Sequence, residues 1–206
     1  LPSPVASTQT IARARWATRA QFVVIGIVSG AWGAHIPSVK QHYQLNEVWL
    51  SVTLLAFAVG VLFSLFFVGR IVARLSARKS ALLGGLFLCA ALSSLMLMPS
   101  FAFVLPIAFL FGAAASTFDV SINADGTELE HVGKCQIMGN LHGMFSAGGM
   151  AGAALAAAML KAGIAPWHQL LGIGLTMAVV VAIAASGMLE THAVDDEPKQ
   201  DFAWPR

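Results

Sequence analysis

Charge is what this sequence has least of. Only 11% of its 206 residues are Asp, Glu, Lys or Arg, where a soluble domain carries about 25%. Hydrophobic residues make up 57%, and the mean hydropathy is +0.76. A water-soluble globule of this size could not hide so much apolar surface; lipid is the solvent that removes the problem. The net charge of +2 is too small to argue for nucleic acid, and no basic run interleaves with aromatics. Cysteine is almost as scarce. Cys89 sits amid apolar residues and Cys135 beside a polar stretch, so two free thiols are expected rather than a disulfide framework. No Asn-x-Ser/Thr sequon occurs. No Gly-rich loop ends in Gly-Lys-Ser/Thr, which argues against an ATP-driven pump. No histidine pair has metal-ligand spacing with a third donor, and no Gly-x-Ser-x-Gly elbow is present. The expectation is therefore no enzyme, no metal and no cofactor.

What the sequence has in abundance is long apolar runs. A bilayer core of about 30 Å needs roughly 20 apolar helical residues. Six stretches qualify: 20–39, 48–69, 80–98, 101–124, 137–160 and 167–189. The third and fourth are parted only by Pro99–Ser100. The chain begins at Leu1 rather than Met, so its beginning reads as processed or missing. A signal peptide is not expected, because the first apolar run follows Arg13, Arg15 and Arg19 and is long enough to span. The domain reading is a cytoplasmic segment over 1–19, a six-helix bundle over 20–189, and the truncated start of a cytoplasmic linker over 190–206.

Basic residues set the orientation. With the N-terminus inside, the inner segments hold Arg13, Arg15, Arg19, Arg70, Arg74, Arg78, Lys79, Lys134, Lys199 and Arg206. The outer ones hold only Lys40 and Lys161. Both termini are expected in the cytoplasm, and acids, including those of a presumed Asp125–Glu130 loop, weigh little in this rule. Small residues mark packing faces: Ala56, Gly60 and Ser64 at a spacing of four, and the run Ser146–Ala153. In lipid such residues let helix backbones approach closely.

The stretch Gly69-Arg70-Ile71-Val72-Ala73-Arg74-Leu75-Ser76-Ala77-Arg78-Lys79 is the most informative one. Its Gly69, Arg74 and Arg78–Lys79 sit at the spacing of the cytoplasmic loop motif of the major facilitator superfamily, G-x-x-x-D-R-x-G-x-R-K. Ala73 replaces the motif's acid and Ser76 its second glycine. Trp32-Gly33-Ala34-His35-Ile36-Pro37, Asp119-Val120-Ser121-Ile122-Asn123-Ala124 with Glu128-Leu129-Glu130, and His142 through Gly149 resemble the fucose-permease-like branch, with its YbjJ-like bacterial members. The resemblance implies an all-α membrane protein: one half of a major facilitator fold, built as two inverted three-helix repeats, in a bacterial inner membrane. It also implies a missing C-terminal six-helix half, a small polar, sugar-like solute moved by alternating access at the midplane, proton coupling, and a gating role for Gly69, Arg70, Arg74, Arg78 and Lys79. The helix-one acid of fucose permease would fall near Gly33, where there is none. The other reading is a half-transporter or interaction module that pairs with a second copy.

Asp119 is the one acid inside an apolar run. A charged Asp at a helix centre costs about 2.5–3.5 kcal/mol on insertion scales, so such residues face a cavity or a partner. Asn123, four residues on, and Ser116, three before, share its side of a helix. In fucose permease the matching acid and asparagine serve proton and sugar binding, which makes Asp119 the proton-coupling candidate and Asn123 and Ser116 substrate-binding ones. The competing reading has Asp119, roughly 27 Å along its helix from Phe101, snorkelling to inner water. His142 suits either solute binding or capping of a polar cluster. Trp32 suits either solute stacking or interfacial anchoring.

Overall fold

A computed structural model describes residues 8–190. Those residues form six helices in chain order: α1 Thr8–His42, α2 Glu47–Leu75, α3 Ala77–Ser94, α4 Phe101–Gly133, α5 Met138–Lys161 and α6 Pro166–Ala185. Five are long and apolar enough to cross a membrane. The third is not among them: it has 18 residues, carries Arg78 and Lys79 in its first turn and closes on two serines. Residues 191–206, where the linker, Lys199 and Arg206 were expected, lie outside the described residues.

Helix ends follow local chemistry more than hydropathy. Asn46 caps α2, its side chain accepting the Trp49 N–H at 2.9 Å. Pro166 opens α6, where its missing N–H costs nothing. Glu130 Oε1 accepts the N–H groups of Ile137 and Met138, at 2.6 and 2.8 Å, and so satisfies the first donors of α5. Three expectations are corrected here. Helix α1 begins at Thr8, so most of the segment assigned to 1–19 is helical. The Asp125–Glu130 stretch is not a loop but continues α4 to Gly133, where Lys134 at φ 46° ends it. The expected loop from Gly69 to Lys79 is almost all helix, with Ser76 alone between α2 and α3.

The helices pack in two layers. One row runs α5, α1, α4, α2; behind it α6 covers α1, α3 covers α4, and α3 and α6 pack on each other. Apart from α3 and α4, neighbours in sequence barely touch: the two most extensive contacts are α1 with α5 and α2 with α4, each a parallel pair. Glycine makes both approaches possible. A Cβ on Gly26 or Gly30 would collide with the carbonyls of Phe145 or Gly149, and one on Gly148 or Gly152 with those of Val23 or Ile27. The second seam repeats the device, Gly60 against Phe109 and Gly112 against Phe57, and Ser64 Oγ meets Thr117 Oγ1 at 2.9 Å. Gly60, Ser64, Gly148, Gly149 and Gly152 are among the small residues expected to pack helices; Gly26, Gly30 and Gly112 join them.

One end of the bundle gathers the start of α1, the α2–α3 and α4–α5 junctions and the exit from α6. There Arg13 donates to Ser186 O at 3.3 Å, Arg15 to Cys135 Sγ at 2.6 Å, Arg19 to Asn140 at 2.9 Å, and Arg78 pairs with Glu190 at 2.9 Å. Both described cysteines are free. Lys40 and Lys161 lie at the opposite end, where Lys40 pairs with Glu47.

Candidate functional site

On the open side of the row, α4 presents Asp119, which is exposed although it lies in an apolar helix. Asn123 sits one turn on and donates to the Asp119 carbonyl at 2.9 Å and to its Oδ1 at 3.2 Å. His142, also exposed, projects from α5 with its ring within electrostatic range of the Asp119 carboxyl. Its ring stands edge-on to Phe22 of α1, centroids 5.6 Å apart at 83°. The bundle thus brings together a carboxylate, an amide and an imidazole from two helices, beside the α1 surface. Around His142 the backbone is bare: a Cβ on Gly139 or Gly143 would meet nothing within 4 Å. Such a set can exchange a proton and can hydrogen-bond hydroxyls from both donor and acceptor sides.

The other two binding candidates point elsewhere. Trp32 is 8% exposed and packs edge-on against Phe111, at 5.6 Å and 78°, inside the hydrophobic core. Ser116 is 7% exposed, on the buried side of α4, so the face it shares with Asp119 by spacing divides between core and surface. His35 is fully buried, with its Nδ1 3.4 Å from Ser38 Oγ on the same helix.

The residues expected to form a gating loop sit on helical ends. Arg70 bonds back to Phe66 O at 3.2 Å, and Arg74 and Lys79 are exposed. Gly69 is exposed with open space about it, and only Arg78 reaches another element, through Glu190.

Asp125 was missed by reading the sequence. It is fully buried: Thr18 Oγ1 of α1 lies 2.5 Å from its Oδ2, and the Leu189 N–H, beyond α6, donates to its Oδ1 at 3.2 Å. A signal for it exists. Phe118, Ile122, Asp125 and Leu129 fall at i, i+4, i+7 and i+11, and all four are buried. Reading 125–130 as a loop broke that stripe.

Asp119 lies about 21 Å of helix from the end of α4 at Gly133, so the helix itself does not end beside it. Yet Gly126 stands against Met138 and Leu141, in the first turn of α5, which sets Asp119 toward the basic end of the bundle.

Comparison with known proteins adds the family context. No family model and no solved structure matches the chain. It is 30% identical over 189 residues, 92% of its length, to an uncharacterised MFS-type transporter of Yersinia pestis. It is 31% identical over 66% of its length to an uncharacterised transporter, y4wD, of Sinorhizobium fredii, and 35% identical over 64% to the membrane protein MosC of Rhizobium meliloti. The chain spans about half the length of the curated relatives it matches, 49% of the Yersinia protein and less of the other two. The chain is thus similar along nearly its whole length to an MFS-type transporter, and five of its described helices are long and apolar enough to cross a membrane.

Proposed function

We propose that the chain is the N-terminal six-helix half of a secondary transporter, in which the open side of the α5–α1–α4–α2 row forms one wall of a central cavity for a small polar, sugar-like solute. The observation that carries this reading is Asp119 itself, a carboxylate exposed on that side beside Asn123 and His142. A membrane helix that displays an acid there needs a water-filled cavity or a polar partner next to it. Asp119 takes and releases the coupling proton, Asn123 and His142 bind solute hydroxyls, and the cations from Arg70 to Lys79 latch the cytoplasmic face. Both termini are cytoplasmic, in a bacterial inner membrane. Two further features support a half of this kind. The packing pattern maps onto itself when α1–α3 are exchanged with α4–α6: α1 with α5 becomes α4 with α2, and α1 with α6 becomes α4 with α3. That is what two inverted repeats require. The relatives' doubled length supplies room for the second half.

The test uses the complete transporter that contains this chain, in liposomes holding a pH-sensitive dye, challenged in turn with sugars and polyols. At least one solute should acidify the lumen. Asp119→Asn should abolish that proton signal while counterflow exchange of the same solute, which needs no net proton movement, persists. A proton signal at the unmodified level in the variant removes Asp119 from coupling and leaves it a polar residue snorkelling at the inner surface. Because one bundle offers only one cavity wall, the chain alone should not transport. Saturable uptake by monomeric chain would refute the half reading, and uptake by a stable homodimer would favour the half-transporter that pairs with its own copy.

A further inference from the structure

We infer that the chain holds one anionic phospholipid in a groove on the flank of the bundle, between α2 and α3 and floored by α4. The inference does not depend on transport. The groove exists because α2 and α3 both pack on α4 but hardly on each other. It has a volume of about 630 Å³ and a lining that includes Ile71, Leu83, Phe87, Leu110 and Ala113. Its walls are apolar apart from Ser94 and Thr117, so in a bilayer it accepts an acyl chain and nothing charged.

Its basic end is what selects the headgroup. Arg74 lies three residues beyond Ile71 on α2, and Lys79 four residues before Leu83 on α3. At these spacings each shares the helix face of its groove residue. Both side chains are exposed, and neither has a hydrogen-bond or ion-pair partner among the described residues. No acid among the described residues forms an ion pair with either: Ala73 stands beside Arg74, the nearby Glu190 is taken by Arg78, and Glu128, one turn beyond Ala124 on α4, pairs with neither. Two free cations at the mouth of an apolar slot, at the end of the bundle that gathers the bases, complement a phosphate attached to acyl chains. Clusters of this kind at the cytoplasmic ends of membrane helices attract anionic lipid. A headgroup with its own ammonium would place like charge against Arg74 and Lys79, so phosphatidylglycerol is favoured over phosphatidylethanolamine.

The full chain, delipidated in mild detergent, is titrated with phosphatidylglycerol or phosphatidylethanolamine and the bound lipid counted by native mass spectrometry. The expected result is one phosphatidylglycerol per chain, bound in preference to phosphatidylethanolamine. Arg74→Gln with Lys79→Gln should weaken phosphatidylglycerol by roughly 30-fold, the product of two surface cations, and leave phosphatidylethanolamine unchanged. Ala113→Phe, which fills the groove while keeping both cations, should weaken both lipids. Glycerol phosphate, the same headgroup chemistry without chains, should not compete. Equal retention of the two lipids, an unchanged double variant, or competition by glycerol phosphate overturns the inference. Each variant must elute as a single species and melt with the parent, so that lost binding is not lost fold.

Discussion

Thr18 Oγ1 lies 2.5 Å from Asp125 Oδ2 and 2.9 Å from the Ala14 carbonyl, so a single hydroxyl hydrogen faces two acceptors in the buried junction of α1 and α4. The Leu189 N–H completes the cluster by donating to the other carboxyl oxygen. An amide in place of the acid resolves the shortage: its NH2 donates to Thr18, whose hydrogen is then free for Ala14, and its oxygen still accepts from Leu189.

Asp125→Asn should therefore match or exceed the parent in thermal unfolding in detergent. Asp125→Ala should lower stability by about 1–3 kcal/mol, because the half-buried Leu189 N–H and the buried Thr18 hydroxyl both lose their partner. Equal melting of the alanine variant and the parent would show that the cluster does not join α1, α4 and the α6 exit.

Ser76 is a second point of stored cost. It sits at φ 87°, ψ 155°, a region essentially reserved for glycine and costing other residues about 1–3 kcal/mol. Its hydroxyl recovers part of this by accepting the Lys79 N–H at 3.4 Å, but glycine at such a cap loses only a few tenths of a kcal/mol. Ser76→Gly should stabilise the chain by roughly 1 kcal/mol or more, raising its melting temperature. Ser76→Val should lower it. The superfamily motif that the stretch resembles has glycine at this position, and the backbone angle gives the reason.

Helix existence was legible in the sequence because a spanning run of apolar residues has few other uses. Helix ends and the deeper polar contacts were not, since hydropathy measures affinity for lipid and says little about hydrogen bonding. Arg13, Arg15 and Arg19 read as flanks of a helix. They lie within it instead, each with a partner on another segment, and Arg19 also stands 4.9 Å from the Trp16 ring. Asp119 was legible because it is an acid among apolar residues. Asp125 was hidden by nearby Glu128 and Glu130, which made a buried residue resemble part of a solvated run. Trp32 read as surface from its place near a helix end, yet α1 runs ten residues past it, through Pro37, and it lies within the bundle.

The glycine seams give a paired forecast. Gly60→Ala or Gly148→Ala places a methyl against backbone of the partner helix, and overpacking of this kind costs about 1–3 kcal/mol. Gly33→Ala or Gly172→Ala enters open space and should be neutral or gain up to about 1 kcal/mol from reduced backbone freedom. Four melting curves decide it; similar shifts for all four would deny that backbone contact holds the rows together.

Topology can be checked by single cysteines in a background lacking Cys89 and Cys135. Gln41 and Gly163, both exposed at the end opposite the arginine cluster, should react with a membrane-impermeant maleimide added from the periplasm once changed to Cys. Ala73→Cys, exposed near the basic end, should be protected until the membrane is opened. The inverse pattern would place the termini outside.

The parallel pairing of α1 with α5 has a consequence for how the protein is made. Their contacts join residues as far apart as Arg19 and Asn140, 121 positions along the chain. At about 5–20 residues per second, ribosomes need on the order of 6–24 seconds to supply α5 after α1 has emerged. Through most of that interval α1 carries Thr18 and Gln21, both fully buried in the finished bundle, without the Asp125 and Val181 groups they bond. Assembly is thus governed by waiting: early helices must be sheltered at the insertion machinery until late ones arrive, and nascent chains stalled before α5 should be the ones most readily handed to membrane quality-control proteases.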